Sequence, residues 1–297
     1  HKYGVQSFLF DFLCELFKVQ NVEIALFCGT PSIHQKITMQ VTEGANILGY
    51  CKISEKQEVK ALFKYEEDIF KMLHDNGITN TPQCLYNGAL QDETHIFAQT
   101  TTKTSRSKVL HQLSAIHWDF LSQLHQKTKT SLPFEKSDFY QSLNLLKQNL
   151  SYLSAASAKS VSASITMVKK YYEGKEMMFS FYHADFTPWN MFLEKGELFV
   201  FDWEYAKRTF PPFLDAFHFL TQVCIFEQHK NAEGIIATYR ANRHIFAKYF
   251  DNPDFSYQCY LLGIISFYLH RDEGQVCGSI EKSLDIWIHL IEILTSQ

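Results

Sequence analysis

The 297-residue sequence has no apolar run approaching the ~20 residues that a membrane-spanning helix needs. Its longest nearly apolar stretch, Cys259 to Leu269, reads instead as a core helix. Neither sign of charge dominates: 28 Lys and Arg face 32 Asp and Glu, a net charge of −4. There is therefore no general attraction to nucleic acid or to an anionic membrane, and any phosphate site has to be local. Seven cysteines, odd in number and without a C-x-x-C pair, exclude a disulfide framework and a zinc ribbon. A reducing, cytoplasmic setting fits that usage. The 13 histidines include no H-x-x-x-H, and no G-x-S-x-G occurs, so neither zinc nor serine-hydrolase chemistry is supported. No self-similar period points to a solenoid. No secretory signal opens the sequence, and His1 is not a native start, which leaves room for residues or a tag upstream.

What is present is apolar enough to fold: 46% of residues are hydrophobic, which excludes a disordered chain. Domains of ~100–200 residues are typical, so the length predicts one large domain or two lobes sharing a cleft. Val5 to Phe17 repeats its apolar residues at helical spacing and reads as a covering helix. Val22, Ile24 and Leu26, then Ile37, Met39 and Val41, alternate about the turn residues Cys28-Gly29-Thr30-Pro31-Ser32 and read as an antiparallel hairpin. A third strand spans Ile47 to Ile53. A helix runs from Glu58 to His74 and stops at Asn76-Gly77, and two more strands, Gln83 to Leu90 and Thr94 to Thr100, flank Gln91-Asp92-Glu93. The fold expected is α+β. Residues 1–100 form a small N-terminal lobe with a five-stranded antiparallel sheet and one inserted helix, and residues 101–297 form a larger, mostly helical C-terminal lobe. In the second lobe helices are expected at Val109 to Gln126, Ser137 to Ser151 and Ile165 to Tyr172, with a Ser/Ala-rich join at Ser151 to Ser164. Two short strands near Met191 and Leu198 interrupt the helices, which resume to the end.

The most informative segment runs from His183-Ala-Asp185 through Asn190 to Asp202-Trp-Glu204. Two apolar triplets flank Lys195-Gly196, so a two-residue turn pairs Leu193 with Leu198 and brings Asn190 and Asp202 to one end of a hairpin. An amide and a carboxylate placed this way suit Mg²⁺, which takes one or two carboxylates and completes its shell with phosphate and water. Asp185, five residues before Asn190 in a Pro-containing loop, is a carboxylate placed to accept a proton from an attacking hydroxyl.

This H-x-D-x-x-x-x-N run, followed by a hairpin and D-x-E, resembles the catalytic segment of the aminoglycoside phosphotransferase and choline kinase group, relatives of the protein kinases. The resemblance implies a protein-kinase-like fold, Asp185 as catalytic base, Asn190 and Asp202 as Mg²⁺ ligands and His183 as an organiser of the loop. Asp202-Trp-Glu204 stands where protein kinases carry D-F-G, and Pro211-Pro212-Phe213-Leu214-Asp215 is similar to the segment that braces the loop in that group. An enzyme of this kind needs a strand-three Lys on the nucleotide phosphates and a helix Glu to hold it. Lys52 and Glu66 fill those places, with Glu66 on the apolar stripe and Glu67 turned to solvent. No G-x-G-x-x-G is present in the first hairpin, a departure from the kinase pattern. His270-Arg271-Asp272 copies H-R-D in letters only, lies after Asp202, and reads as a helix end.

The function implied is an ATP- and Mg²⁺-dependent small-molecule kinase, with the adenine against the hinge strand at Gln99 to Thr101 and Asp185 facing an acceptor hydroxyl. The partners expected are ATP and a hydroxyl acceptor such as an aminoglycoside, sugar or amino alcohol, with no nucleic acid and no membrane. Asp272 and Glu273 would favour a cationic acceptor, although a neutral or anionic sugar is equally allowed. The alternative is a catalytically inactive kinase-like nucleotide-binding module. Every expected polar position is filled, which speaks for the enzyme.

Overall fold

A computed structural model describes residues 2–28, 35–91, 94–276 and 278–296. In chain order the elements are α1 (Lys2–Phe17), β1 (Glu23–Cys28), β2 (Ile37–Glu43), β3 (Asn46–Ser54), α2 (Gln57–Asp75), β4 (Cys84–Gln91) and β5 (Thr94–Thr100). Then come α3 (Ala115–Thr128), β6 (Thr130–Pro133), α4 (Asp138–Gln148), α5 (Ala155–Tyr172), β7 (Glu176–Tyr182), β8 (Met191–Glu194), β9 (Glu197–Val200) and β10 (Lys207–Phe210). Helices α6 (Leu214–Gln222), α7 (Ala232–Phe246), α8 (Pro253–Arg271) and α9 (Ser279–Thr295) follow. The chain separates into two compact units, residues 1–110 with 189–205 and residues 111–188 with 206–297. Among the described residues no helix is long and apolar enough to cross a membrane.

In the first unit the five antiparallel strands that the sequence predicts lie in the order β1-β2-β3-β5-β4. Gly29-Thr30-Pro31-Ser32 of the first expected turn, and Asp92-Glu93 of the second, lie outside the described residues. Because side chains alternate across a strand, the sheet carries two different faces. Met39, Val41, Cys51, Ile96 and Ala98 pack in one cluster with Leu13 and neighbouring apolar residues of α1. Phe97 belongs to the opposite face and stacks on Phe63 of α2 with ring centroids 5.5 Å apart. Gly49 lets β3 lie close to its neighbours: a Cβ there would sit 2.5 Å from the Gln99 carbonyl oxygen and 2.7 Å from the Phe17 ring. Helix α2 buries Val59, Phe63, Glu66, Ile69, Phe70 and Leu73, and Asn76 ends it, its N–H bonded to the Met72 carbonyl at 3.1 Å.

The second unit is mostly helical but also holds a three-stranded sheet, β10-β7-β6, that the sequence does not announce. Its outer strands have four residues each, too few for alternation to register, and they exist by pairing with β7. Helix α3 starts at Ala115 rather than near Val109, where Ser114 and His117 form a reciprocal cap. The Ser/Ala-rich join is mostly helix: Ser154 caps the Ser157 N–H at 3.2 Å, alanine is the best helix former, and Val161, Ile165 and Val168 give α5 a buried face. Phe217 of α6 anchors the aromatic core, with ring centroids 4.7 Å from both Phe246 and Tyr257. Helix α8 is buried through most of its length and ends at Arg271 with Asp272 as cap, so the H-R-D lookalike is a helix terminus.

Candidate active site

Strand β3 pairs Lys52 with Phe97 of β5, on the face that α2 covers. That leaves the Lys52 ammonium buried, and a buried charge needs partners. It has two at 2.7 Å, Glu66 Oε2 and Asp202 Oδ1, with Glu204 Oε2 at 3.9 Å. Glu66 is fully buried, and its second oxygen accepts the Trp203 N–H at 3.0 Å. One carboxylate thus holds both the lysine and the backbone immediately after Asp202. Burial alone would disfavour the charged ammonium, but the carboxylates of Asp202, Glu66 and Glu204 outweigh it and raise the Lys52 pKa. Burial pushes the Glu66 carboxyl up, with Lys52 pulling it back. Glu67, one helical step away, bonds instead to Lys64 and Asn87.

Asp202 reaches this pair through the short hairpin. Strands β8 and β9 pair Leu193 with Leu198 and Met191 with Val200. The Phe201 N–H then donates to the Asn190 carbonyl at 3.0 Å, so Asn190 and Asp202 stand at the same end. Lys195 (φ 52°) and Gly196 (φ 86°) make the left-handed turn that matches strand twist. Asn80 pins the hairpin, donating its side chain to the Leu198 carbonyl at 2.7 Å and accepting the Val200 N–H at 3.1 Å. Asp202 itself has φ 66°, a conformation that costs free energy outside glycine and concentrates at functional sites.

A further cation, unforeseen in the sequence, joins the group: Lys36 donates its ammonium to Glu204 and lies 3.8 Å from Asp202 Oδ1. Its signal was present: Thr38 of β2 pairs with Lys52 of β3, and Lys36 stands two residues before Thr38, in phase with that face although just outside the strand. Oxygens of Glu66, Asp202 and Glu204 lie within 4.8 Å of one another. With the Asn190 amide at the hairpin end, the donor chemistry is all oxygen, which fits Mg²⁺. Lys36, Lys52, Gln99, Thr101 and Asp202 line a cavity of about 160 Å³. Gln99 is buried, and its Oε1 has no hydrogen-bond partner among the described residues.

In the second unit Asp185 follows β7. Asp215, near the start of α6, accepts the N–H groups of His183 (2.9 Å) and Ala184 (3.1 Å). Those bonds hold Ala184 at φ 71°, a strained conformation for alanine. The Asp185 N–H donates to His183 Nδ1 at 3.1 Å, which fixes the turn between them. Burial pushes the Asp215 carboxyl up to about 7, and its two backbone donors restrain the rise. His218, one turn beyond Asp215, places Nε2 3.3 Å from Asp185 Oδ1. A carboxylate oxygen accepts, so an N–H on Nε2 would donate to it. The buried Nδ1 has no hydrogen-bond partner among the described residues. The Asp215–His218 spacing places both on one helix face, a relation readable in the sequence but not used there.

The fold has well-populated relatives among solved structures. A thermostable variant of aminoglycoside phosphotransferase APH(4)-Ia, in a ternary complex with AMP-PNP and hygromycin B, superposes with a TM-score of 0.63 at 12% identity, covering 97% of this chain and 98% of that one. Aminoglycoside phosphotransferase APH(2'')-Ib with ADP gives 0.53 at 15% identity over 96% and 98%. A putative fructosamine-3-kinase from Haemophilus somnus 129PT gives 0.56 at 14% identity over 95% and 96%. These likenesses establish the kinase-like α+β fold. No curated protein matches the sequence. The sequence does match a family, over residues 49–249, a span that includes Lys52, Glu66, Asp185, Asn190, Asp202 and Asp215, and by that match the chain belongs to the phosphotransferase enzyme family, whose members transfer phosphoryl groups to small molecules.

Proposed function

We propose that the chain transfers the γ-phosphoryl group of ATP to a hydroxyl of a small molecule, with Mg²⁺ as cofactor. The observation that carries this reading is the Lys52 ammonium, held at 2.7 Å by both Glu66 and Asp202 beside a cavity that Gln99 and Thr101 also line. Gln99 and Thr101 take the adenine end of the nucleotide, and Lys52 meets its phosphates. Asn190 and Asp202 are the residues to hold Mg²⁺, which when bound neutralises phosphate charge. Asp185 receives the proton as the acceptor oxygen bonds to the γ-phosphorus and the bond to ADP breaks. The His218 ring, 3.3 Å from one oxygen of Asp185, helps to orient that carboxylate. Positioning and charge neutralisation supply most of the acceleration. The structural relatives are named for aminoglycosides and for fructosamine, which supports an acceptor such as an aminoglycoside, a sugar or an amino alcohol. In this reading residues 1–100, with Thr101, Asn190 and Asp202, carry the nucleotide and metal functions, and the remainder carries the base and the acceptor contacts.

Thermal unfolding with ATP, with and without Mg²⁺, tests the nucleotide half. A stabilisation that grows with the metal is expected, and none with either would overturn it. An ATP-depletion screen over sugars, aminoglycosides and amino alcohols then identifies the acceptor.

A further inference from the structure

The chain lacks the glycine-rich loop whose backbone N–H groups cradle phosphates in kinases: between β1 and β2 it has a single glycine, Gly29. Lys52 is already committed to two carboxylates at 2.7 Å, which leaves one of its three donors. Three carboxylates, Glu66, Asp202 and Glu204, therefore stand around one largely occupied lysine, while Lys103, which also lines the cavity, lies over the Phe192 ring at 5.9 Å. Lys36 changes that balance. It enters from the residue preceding β2, the same hairpin that lacks its glycines, and its ammonium rests on Glu204 with Asp202 at 3.8 Å. It lines the same cavity as Lys52 and Gln99, and its side chain is 17% exposed.

We propose that Lys36 is a nucleotide-phosphate ligand, a side-chain cation that takes over the anchoring done elsewhere by glycine-loop backbone; this rests on the nucleotide reading above. Glu204 is then its positioning partner. It keeps the long lysine side chain directed at the cavity before nucleotide arrives, so less freedom is lost on binding. A lysine acting only as a spacer among the carboxylates would behave differently. Its removal would leave phosphate binding alone and would merely increase attraction for a free divalent cation.

The test uses Lys36→Met and Lys36→Arg, titrated calorimetrically with ATP and with adenosine in EDTA, and with Mn²⁺ alone. Lys36→Met should bind ATP about tenfold more weakly or worse, while adenosine affinity stays within about twofold, because only ATP carries the phosphates. Lys36→Arg, which keeps the charge, should recover most of the loss. Mn²⁺ affinity in Lys36→Met should be unchanged or higher, since a positive charge has left an acidic group. Unfolding midpoints of the variants establish that they are folded. ATP affinity equal to wild type in Lys36→Met overturns the proposal, and so does an equal loss for ATP and adenosine. If the wild-type chain binds neither, the nucleotide reading itself has failed, and the proposal falls with it.

Discussion

The buried pair of Lys52 and Glu66 allows a stability prediction that does not depend on knowing the acceptor. In Lys52→Met, Glu66 stays fully buried and keeps only the Trp203 N–H as a partner among the contacts described above. Stranding one member of a buried ion pair costs about 3–5 kcal/mol. In Glu66→Leu, Lys52 retains Asp202, whose side chain is 28% exposed and so shares the charge with water, but the Trp203 N–H loses its acceptor, worth about 1–3 kcal/mol. The double variant Lys52→Met/Glu66→Leu removes both charges together. It should be less destabilised than Lys52→Met alone, since no fully buried charge is left stranded, and the coupling should amount to several kcal/mol. There is also a pH signature. Without Lys52 the Glu66 carboxyl, already pushed up by burial from 4.5, rises further. A raised folded-state pKa gives stability that is present below ~4.5 and lost as pH climbs through the folded value. The deficit of Lys52→Met should therefore be smaller at pH 5 than at pH 8. Urea-unfolding midpoints of the four proteins at both pH values measure this. If the double variant costs the sum of the two singles within ~0.5 kcal/mol, the groups are not coupled and the reasoning is refuted.

Asp185→Asn should lower kcat by on the order of 10²-fold or more while leaving ATP affinity near wild type, as expected for a positioned base; near-normal turnover with an identified acceptor would remove Asp185 from that role. Asp215 has a folded-state pKa of about 7 against an ordinary 3.8, so its protonated form stabilises the fold below ~4, and this contribution, of order a few kcal/mol, is lost as pH rises to 7. Asp215→Asn should flatten the dependence of the unfolding midpoint on pH over that window, and parallel curves would contradict the assignment. Gly49→Ala should destabilise by about 1–3 kcal/mol through collision with the Gln99 carbonyl, which is backbone and cannot step aside. A melting temperature unchanged from wild type would show that the strands can separate there.

Much of this molecule was legible in its residues because the forces that shape it are local. Alternation predicts the first two strands of the sheet, and the turn residues that bound the other segments mark the remaining three. Asn76-Gly77 stops α2, and the Lys195-Gly196 turn sets the register that brings Asn190 and Asp202 to one hairpin end. Helix phase alone separates Glu66 from Glu67, since one residue rotates the side chain by ~100°. Other features are non-local. Lys52 and Asp202 are 150 residues apart in the chain, and no periodicity foretells that Glu66 would clasp the lysine and the Trp203 N–H at once. Strands β6 and β10 are too short to show a pattern and form only against β7, while the turns of α5 before Val161 bury no residue and continue a helix whose packed face begins at Val161. The strained turn at Ala184 persists because Asp215, distant in sequence, accepts two of its N–H groups. Local spacing determined which residue types could do phosphoryl-transfer chemistry. Tertiary packing decided which of them share a charge, because the cost of burying an ion is settled only by what is folded against it.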